Sequence, residues 1–129
     1  MLTADGAPAF PPTYRYVDTY LASAQRIAAV RPNLLLTSHY PVYEGAAAAE
    51  FMAESRAFVD RVDHALIKAI EAERTLRELT ELLAPDLGTW PAEACAYACF
   101  PFLGHLERLV HYGRAQTGRR EGQLTYRLK

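Results

Sequence analysis

The residues of this 129-residue chain best suited to holding a metal or carrying a nucleophilic step are four histidines and two cysteines, and their spacing excludes most such chemistry. His39, His64, His105 and His111 are scattered, so neither H-x-H nor H-E-x-x-H is present to make a metal site locally. No G-x-S-x-G elbow and no glycine-rich phosphate loop occurs. Cys95 and Cys99 lie four apart on what reads as one helix, a spacing that holds their Cα atoms near the upper limit for a disulfide. Buried free thiols are the expectation, and reduced thiols fit a cytoplasmic protein. His64, His105 and His111 fall on predicted helices, where a half-buried structural role is the default. His39 differs. It follows a short apolar run that reads as a buried strand, the place where ligands gather in α/β folds. His39 is therefore the one candidate metal ligand, and no residue qualifies as catalytic or cofactor-binding.

The elements that must position these residues are mainly α-helical. Prolines at 8, 11 and 12 make the first dozen residues an opening loop, since each lacks an amide donor and restricts its predecessor. From Tyr14, apolar Tyr16, Val17, Tyr20, Leu21, Ala24, Ile27 and Ala28 recur at helical spacing until Arg31-Pro32-Asn33 stops the helix. Leu34-Leu35-Leu36 is apolar on both faces and predicts one short buried strand with no evident partner before the tail. A long helix is expected from Ala46 to Ala72, with Phe51, Ser55, Phe58, Val59, Val62, Leu66, Ile67 and Ile70 inward and Asp60, Arg61 and Asp63 outward. Thr75 and Glu78 have capping-box spacing before a short leucine helix that Pro85 should close. Thr89 and Pro91 open another helix, kinked or restarted at Pro101 and ended by Gly113. Its surface reads as aromatic, with Trp90, Tyr97, Phe100 and Phe102. Gly118 to Gly122 has turn composition, and Leu124, Tyr126 and Leu128 then alternate with polar residues as a hairpin does. Helix, short helix, longer helix and two-stranded ribbon is the order of a winged helix.

Half of the residues are apolar, enough for a sizeable core, and the formal net charge is -1. That balance gives no general attraction to phosphate. No apolar run approaches the roughly 20 residues of a membrane span, and no signal-like N-terminus is present.

The run Leu34-Leu35-Leu36-Thr37-Ser38-His39-Tyr40-Pro41-Val42, preceded by the helix from Tyr14, resembles the last conserved segment of metallo-β-lactamase-fold hydrolases. There a helix and strand lead into a loop, typically G-H-G-P, whose histidine is the final metal ligand. Leu66 to Ala72, the turn from Thr75 to Leu79, the run from His105 to Leu109, and Gly113 resemble the winged-helix domain appended to one branch of that superfamily. Ser38 and Tyr40 stand where the family usually has glycines, and its H-x-H-x-D-H motif, middle histidine and bridging aspartate are absent. Asp5 would lie just after the expected bridging position and is not assigned as a ligand. The resemblance implies that residues 1–45 end a metallo-β-lactamase-like domain and residues 46–129 form a connecting helix and winged-helix domain. It implies zinc or another divalent metal in the intact family, none bound by this chain alone, and a missing N-terminal catalytic portion as partner.

Two functions compete. One is the C-terminal part of a metal-dependent hydrolase, inactive alone, its winged helix serving as lid, substrate wall or dimer contact. The other is a winged-helix nucleic-acid-binding or dimerisation module. A groove-reading helix needs Arg, Lys, Asn or Gln toward the bases. Residues 90–112 offer Arg108 alone as a fixed cation, opposed by Glu93 and Glu107, so nucleic acid is the less favoured partner. An unpaired strand at Leu34–Leu36 leads us to expect self-association.

Overall fold

In a computed structural model, which describes residues 2–4 and 6–129, the chain is mainly α with small antiparallel sheets. Asp5 lies outside the described residues. Helix α1 spans Val17–Val30 and ends where Arg31 turns left-handed, φ 50°, its amide bonding to Ala28 O. Two short strands follow, β1 (Leu34–Leu35) and β2 (Tyr43–Glu44), paired antiparallel with Leu34 opposite Glu44 and Leu35 opposite Tyr43. Gly45, at positive φ, turns the chain into the long helix α2, Ala46–Ala69. The sequence placed its end three residues later. The helix stops as the chain turns at Ile70, whose own carbonyl accepts from the Leu128 amide of the C-terminal sheet.

The two-residue strand β3 (Arg74–Thr75) leads into α3, Leu76–Leu87. Its start is the predicted capping box: Thr75 Oγ1 accepts from the Glu78 amide at 3.2 Å while Glu78 Oε2 accepts from the Thr75 amide at 2.7 Å. Pro85 does not close α3. It sits in the last turn, where its missing amide costs one hydrogen bond, and the helix runs on to Leu87 before extended Gly88 ends it. Residues Ala92–Ala98 form a 3₁₀ turn, and α4 (Cys99–His111) restarts from it. Pro101 is in the first turn of α4, where its absent donor has no intrahelical partner to lose, so the helix restarts rather than kinks. Cys95 and Cys99 thus fall on two different elements, free but only half-buried rather than buried.

Strands β4 (Ala115–Arg120) and β5 (Gln123–Leu128) form the hairpin, turned by Glu121 and Gly122, both at positive φ. β3 pairs with β5, giving the order β3-β5-β4. The main core lies among α2, α3, α4 and this sheet, around Leu66, Ile70, Leu79, Phe102, Leu106, Leu109 and Tyr126.

Residues before α2 behave differently. Leu34 and Leu36 were expected to be buried, yet they are 51% and 69% exposed. Strand β1 has a partner after all, but a two-residue pairing against β2 leaves Leu35 half-buried and Leu34 exposed. The helical stripe of α1 is likewise only partly covered: Val17 and Ala24 are buried, whereas Tyr16, Ile27 and Val30 are exposed. Two of the aromatics expected on the surface, Trp90 and Phe102, are buried in the core, while Tyr97 and Phe100 are exposed as expected. Leu82, expected on the apolar face of α3, is exposed.

Candidate functional site

His39 sits at the tip of the connection between β1 and β2 and is exposed. The loop around it is closed by one hydroxyl. Thr37 Oγ1 accepts from the Tyr40 amide at 3.0 Å and donates to the Tyr40 carbonyl at 3.2 Å. Without glycines at 38 and 40, this side-chain turn shapes the backbone that presents the imidazole. The loop is held against α2 by rings: Tyr43 stacks on Phe51 with centroids 4.6 Å apart, and Tyr40 tilts against the same ring at 5.4 Å. Burial raises the Tyr40 phenol above its usual pKa, with Tyr43 adding to the shift.

His39 opens onto a cavity of about 860 Å³. Its walls are Tyr20, Tyr40, Tyr43 and Phe51 on one side and Phe10, Pro11, Pro12 and Tyr97 on another, with Phe58 and Trp90 also lining it. Phe58 meets Trp90 edge to face at 6.1 Å, and Gly88 is required beneath the indole, since a Cβ there would come 2.0 Å from its ring. Among the described residues, the only charged side chains in this lining besides the ionisable His39 are Glu54 and Arg61, which pair with each other at 2.6 Å. The Arg61 guanidinium also lies 5.6 Å from the Phe58 ring centroid.

A second polar cluster was not foreseen from the sequence. His105 is fully buried, not half-buried, and both ring nitrogens are engaged: Nδ1 lies 2.7 Å from Asp63 Oδ1 and Nε2 lies 2.9 Å from the Tyr14 hydroxyl. Burial raises the Tyr14 phenol, so it stays protonated and donates to Nε2, leaving Nδ1–H to donate to the carboxylate. Asp63, placed on the wet face of α2 by its spacing, instead turns inward. The hydrogen bond from His105 holds its carboxyl below the usual range, and Arg108 adds to this with Nη1 3.5 Å from Oδ2. Arg108 Nε also lies 2.9 Å from Asp18 Oδ1, with its N–H off the line between them, so that contact is an ion pair rather than a hydrogen bond. Tyr112 donates to the other Asp18 oxygen at 3.0 Å.

A tyrosine–histidine–carboxylate chain has the makings of a proton relay, but neither His105 nor Asp63 lines the cavity at His39. The cluster instead fastens the segment before α1 to α2 and α4. Gly104 allows that approach, since a Cβ there would come 1.9 Å from the Arg15 carbonyl oxygen, and Arg15 reaches Glu107 through two hydrogen bonds of 2.6 and 3.0 Å. The sequence signal available was Asp63 and Tyr14, polar groups at positions flanking apolar stripes, but their pairing with His105 spans 42 and 91 residues. His64 and His111 are exposed, and His64 Nδ1 bonds locally to the Asp60 carbonyl.

Among the described residues no three His, Cys, Asp or Glu side chains are grouped so as to hold a metal ion. A tetrahedral zinc site needs about four donors, and His39 is not in such a group among the described residues.

No family model matches the chain, and no curated protein matches it. Solved structures do. A β-lactamase domain protein from Burkholderia ambifaria superposes with a TM-score of 0.72 at 21% identity, covering 88% of this chain and 33% of that one. A metallo-β-lactamase family protein from Thermus thermophilus gives a TM-score of 0.61 at 22% identity, covering 87% of this chain and 33% of its own. The chain thus shares a fold with part of these proteins and spans about a third of their length.

Proposed function

We propose that this chain is the C-terminal part of a metal-dependent hydrolase of the metallo-β-lactamase superfamily, catalytically incomplete alone. The carrying observation is the fold likeness, which takes in 88% of this chain but only 33% of the Burkholderia protein. In this reading residues 1–45 end the catalytic domain, and residues 46–129 are a connecting helix and winged-helix unit that serves as lid, substrate wall or dimer contact. Two features support the division. The main core falls within residues 58–126. By contrast, six of the twelve large apolar side chains left exposed among the described residues lie between Tyr16 and Val42. Those six are the side chains that a neighbouring sheet would cover. His39 is the metal ligand this segment contributes, with zinc or another divalent ion as cofactor and the remaining ligands supplied by the N-terminal catalytic portion.

The test is the in-frame coding sequence before Met1 and the product it encodes. An H-x-H-x-D-H motif there, with zinc content of the extended protein reduced by His39→Ala, is the expected result. Absence of the motif, or unchanged zinc content in the variant, refutes the reading. The 129-residue chain itself should show no stoichiometric zinc site tighter than micromolar by isothermal titration.

A further inference from the structure

We propose, resting on the hydrolase reading above, that the cavity beside His39 takes a neutral, apolar carbonyl compound, such as an acyl ester, and that Glu54 sets this preference by cancelling the charge of Arg61. Three observations carry the inference. First, the cavity of about 860 Å³ is within the range that holds a small organic ligand, and its walls are predominantly rings. Second, Tyr20, Tyr40, Tyr43 and Tyr97 line it, and none of their hydroxyls is hydrogen-bonded to another described residue, so each can donate to a ligand's acceptor oxygen. Third, Arg61 is the only arginine or lysine among the described residues of the lining, and its guanidinium is already bound to Glu54 at 2.6 Å. A carboxylate entering the cavity would lose hydration and meet a cation whose charge is already matched. An uncharged ester loses little and keeps its carbonyl for the phenols. The pairing of Glu54 with Arg61, seven residues apart on α2, thus makes an aromatic cleft selective against anions.

Trp90 is the single tryptophan and lines this cavity, so its emission reports occupancy in the 129-residue chain without label, metal or turnover. The probes are methyl octanoate and sodium octanoate at neutral pH, with isothermal titration as the second readout. We expect methyl octanoate to bind at least about tenfold more tightly than octanoate. Glu54→Gln, a change at an exposed position, should release Arg61 and bring the two affinities within about threefold. Arg61→Gln should retain the ester and exclude the anion further. The proposal is overturned if octanoate binds as well as the ester, if Glu54→Gln leaves the ratio unchanged, or if neither probe binds. Emission that changes with protein concentration and not with ester would mean that a second copy of the chain fills the cavity, which also overturns it. A failed titration leaves the metal-ligand role of His39 standing, and loss of that role leaves the titration standing.

Discussion

Removing the Asp63 carboxylate is the sharpest probe of how this fold is fastened. Asp63→Ala leaves the Nδ1–H of the fully buried His105 without its acceptor. An unsatisfied buried donor costs about 1–3 kcal/mol, and the lost bond was charge-assisted, which places the total near the top of that range. Arg108 loses its 3.5 Å partner as well, but it keeps Asp18 and is partly exposed, so that term is small. We expect about 2–3 kcal/mol of destabilisation in urea unfolding at pH 7, and Tyr14→Phe should cost roughly 1–2 kcal/mol by stranding Nε2. Because the two changes act on one imidazole, their effects should not add: the double variant should fall short of the sum by about 0.5 kcal/mol or more. The pH dependence has a definite sign. The Asp63 carboxyl is held below its unfolded value of 3.8, so its contribution is complete above about pH 4–5 and fades as pH falls through the folded pKa. The wild-type and Asp63→Ala stabilities should therefore converge on acidification. A loss below about 0.5 kcal/mol at pH 7, or a difference between the two proteins that grows toward pH 3, would refute the fastening role.

Gly104→Ala places a Cβ 1.9 Å from the Arg15 carbonyl and should cost about 1–3 kcal/mol, with faster tryptic cleavage after Arg15 as the segment lifts from α4. Thr75→Ala removes the cap of α3 and should destabilise by about 1 kcal/mol. The Thr75 amide and Arg120 draw the Glu78 carboxyl down to about 2, so the capping-box contribution should persist above pH 4.5 and disappear toward pH 2 in acid titrations followed by circular dichroism. Exposed Val30, Leu34 and Leu36 should drive association of the isolated chain, and Leu36→Asp should lower the sedimentation-average mass at high concentration. An unaltered mass in the variant would place the contact elsewhere.

Local signals were the legible ones. Thr75 and Glu78 encode a cap through contacts within one turn, and alternating Leu124, Tyr126 and Leu128 encode a hairpin strand through period alone. The turn expected over Gly118 to Gly122 is nevertheless confined to Glu121 and Gly122, with residues 118–120 in β4. The mainly helical class followed from periodicity in the same way. Long-range choices were not legible. Asp63 looks like any charged residue on a helix until Tyr14 and His105, from distant parts of the chain, are brought beside it. Phe102 looked like a surface ring because spacing does not say which side of a helix faces the core when both sides are apolar. Trp90, by contrast, lies in the bend before the 3₁₀ turn and is buried against Phe58. Strand β3 is too short to carry a pattern, and its two residues are strand only because β5 lies beside them.

The failed expectation at Leu34–Leu36 carries more weight than the successes. A run that is apolar on both faces is suited to the interior of a sheet, where each face is covered. Here β1 pairs with two residues of β2, leaving Leu34 and Leu36 exposed. Burial of a leucine side chain stabilises by roughly 1.5–3 kcal/mol, so two of them left in water are a standing incentive for contact. The same stretch holds exposed Tyr16, Ile27 and Val30 on α1, while the core from Phe58 to Tyr126 closes without any of them. A complete domain of this composition would be expected to use those side chains. Their exposure lies next to a loop that presents His39 to a cavity, and among the described residues no three His, Cys, Asp or Glu side chains are grouped so as to hold a metal ion. On the proposed reading one cause accounts for both: a catalytic domain that covers the apolar face and completes the ligand set at once.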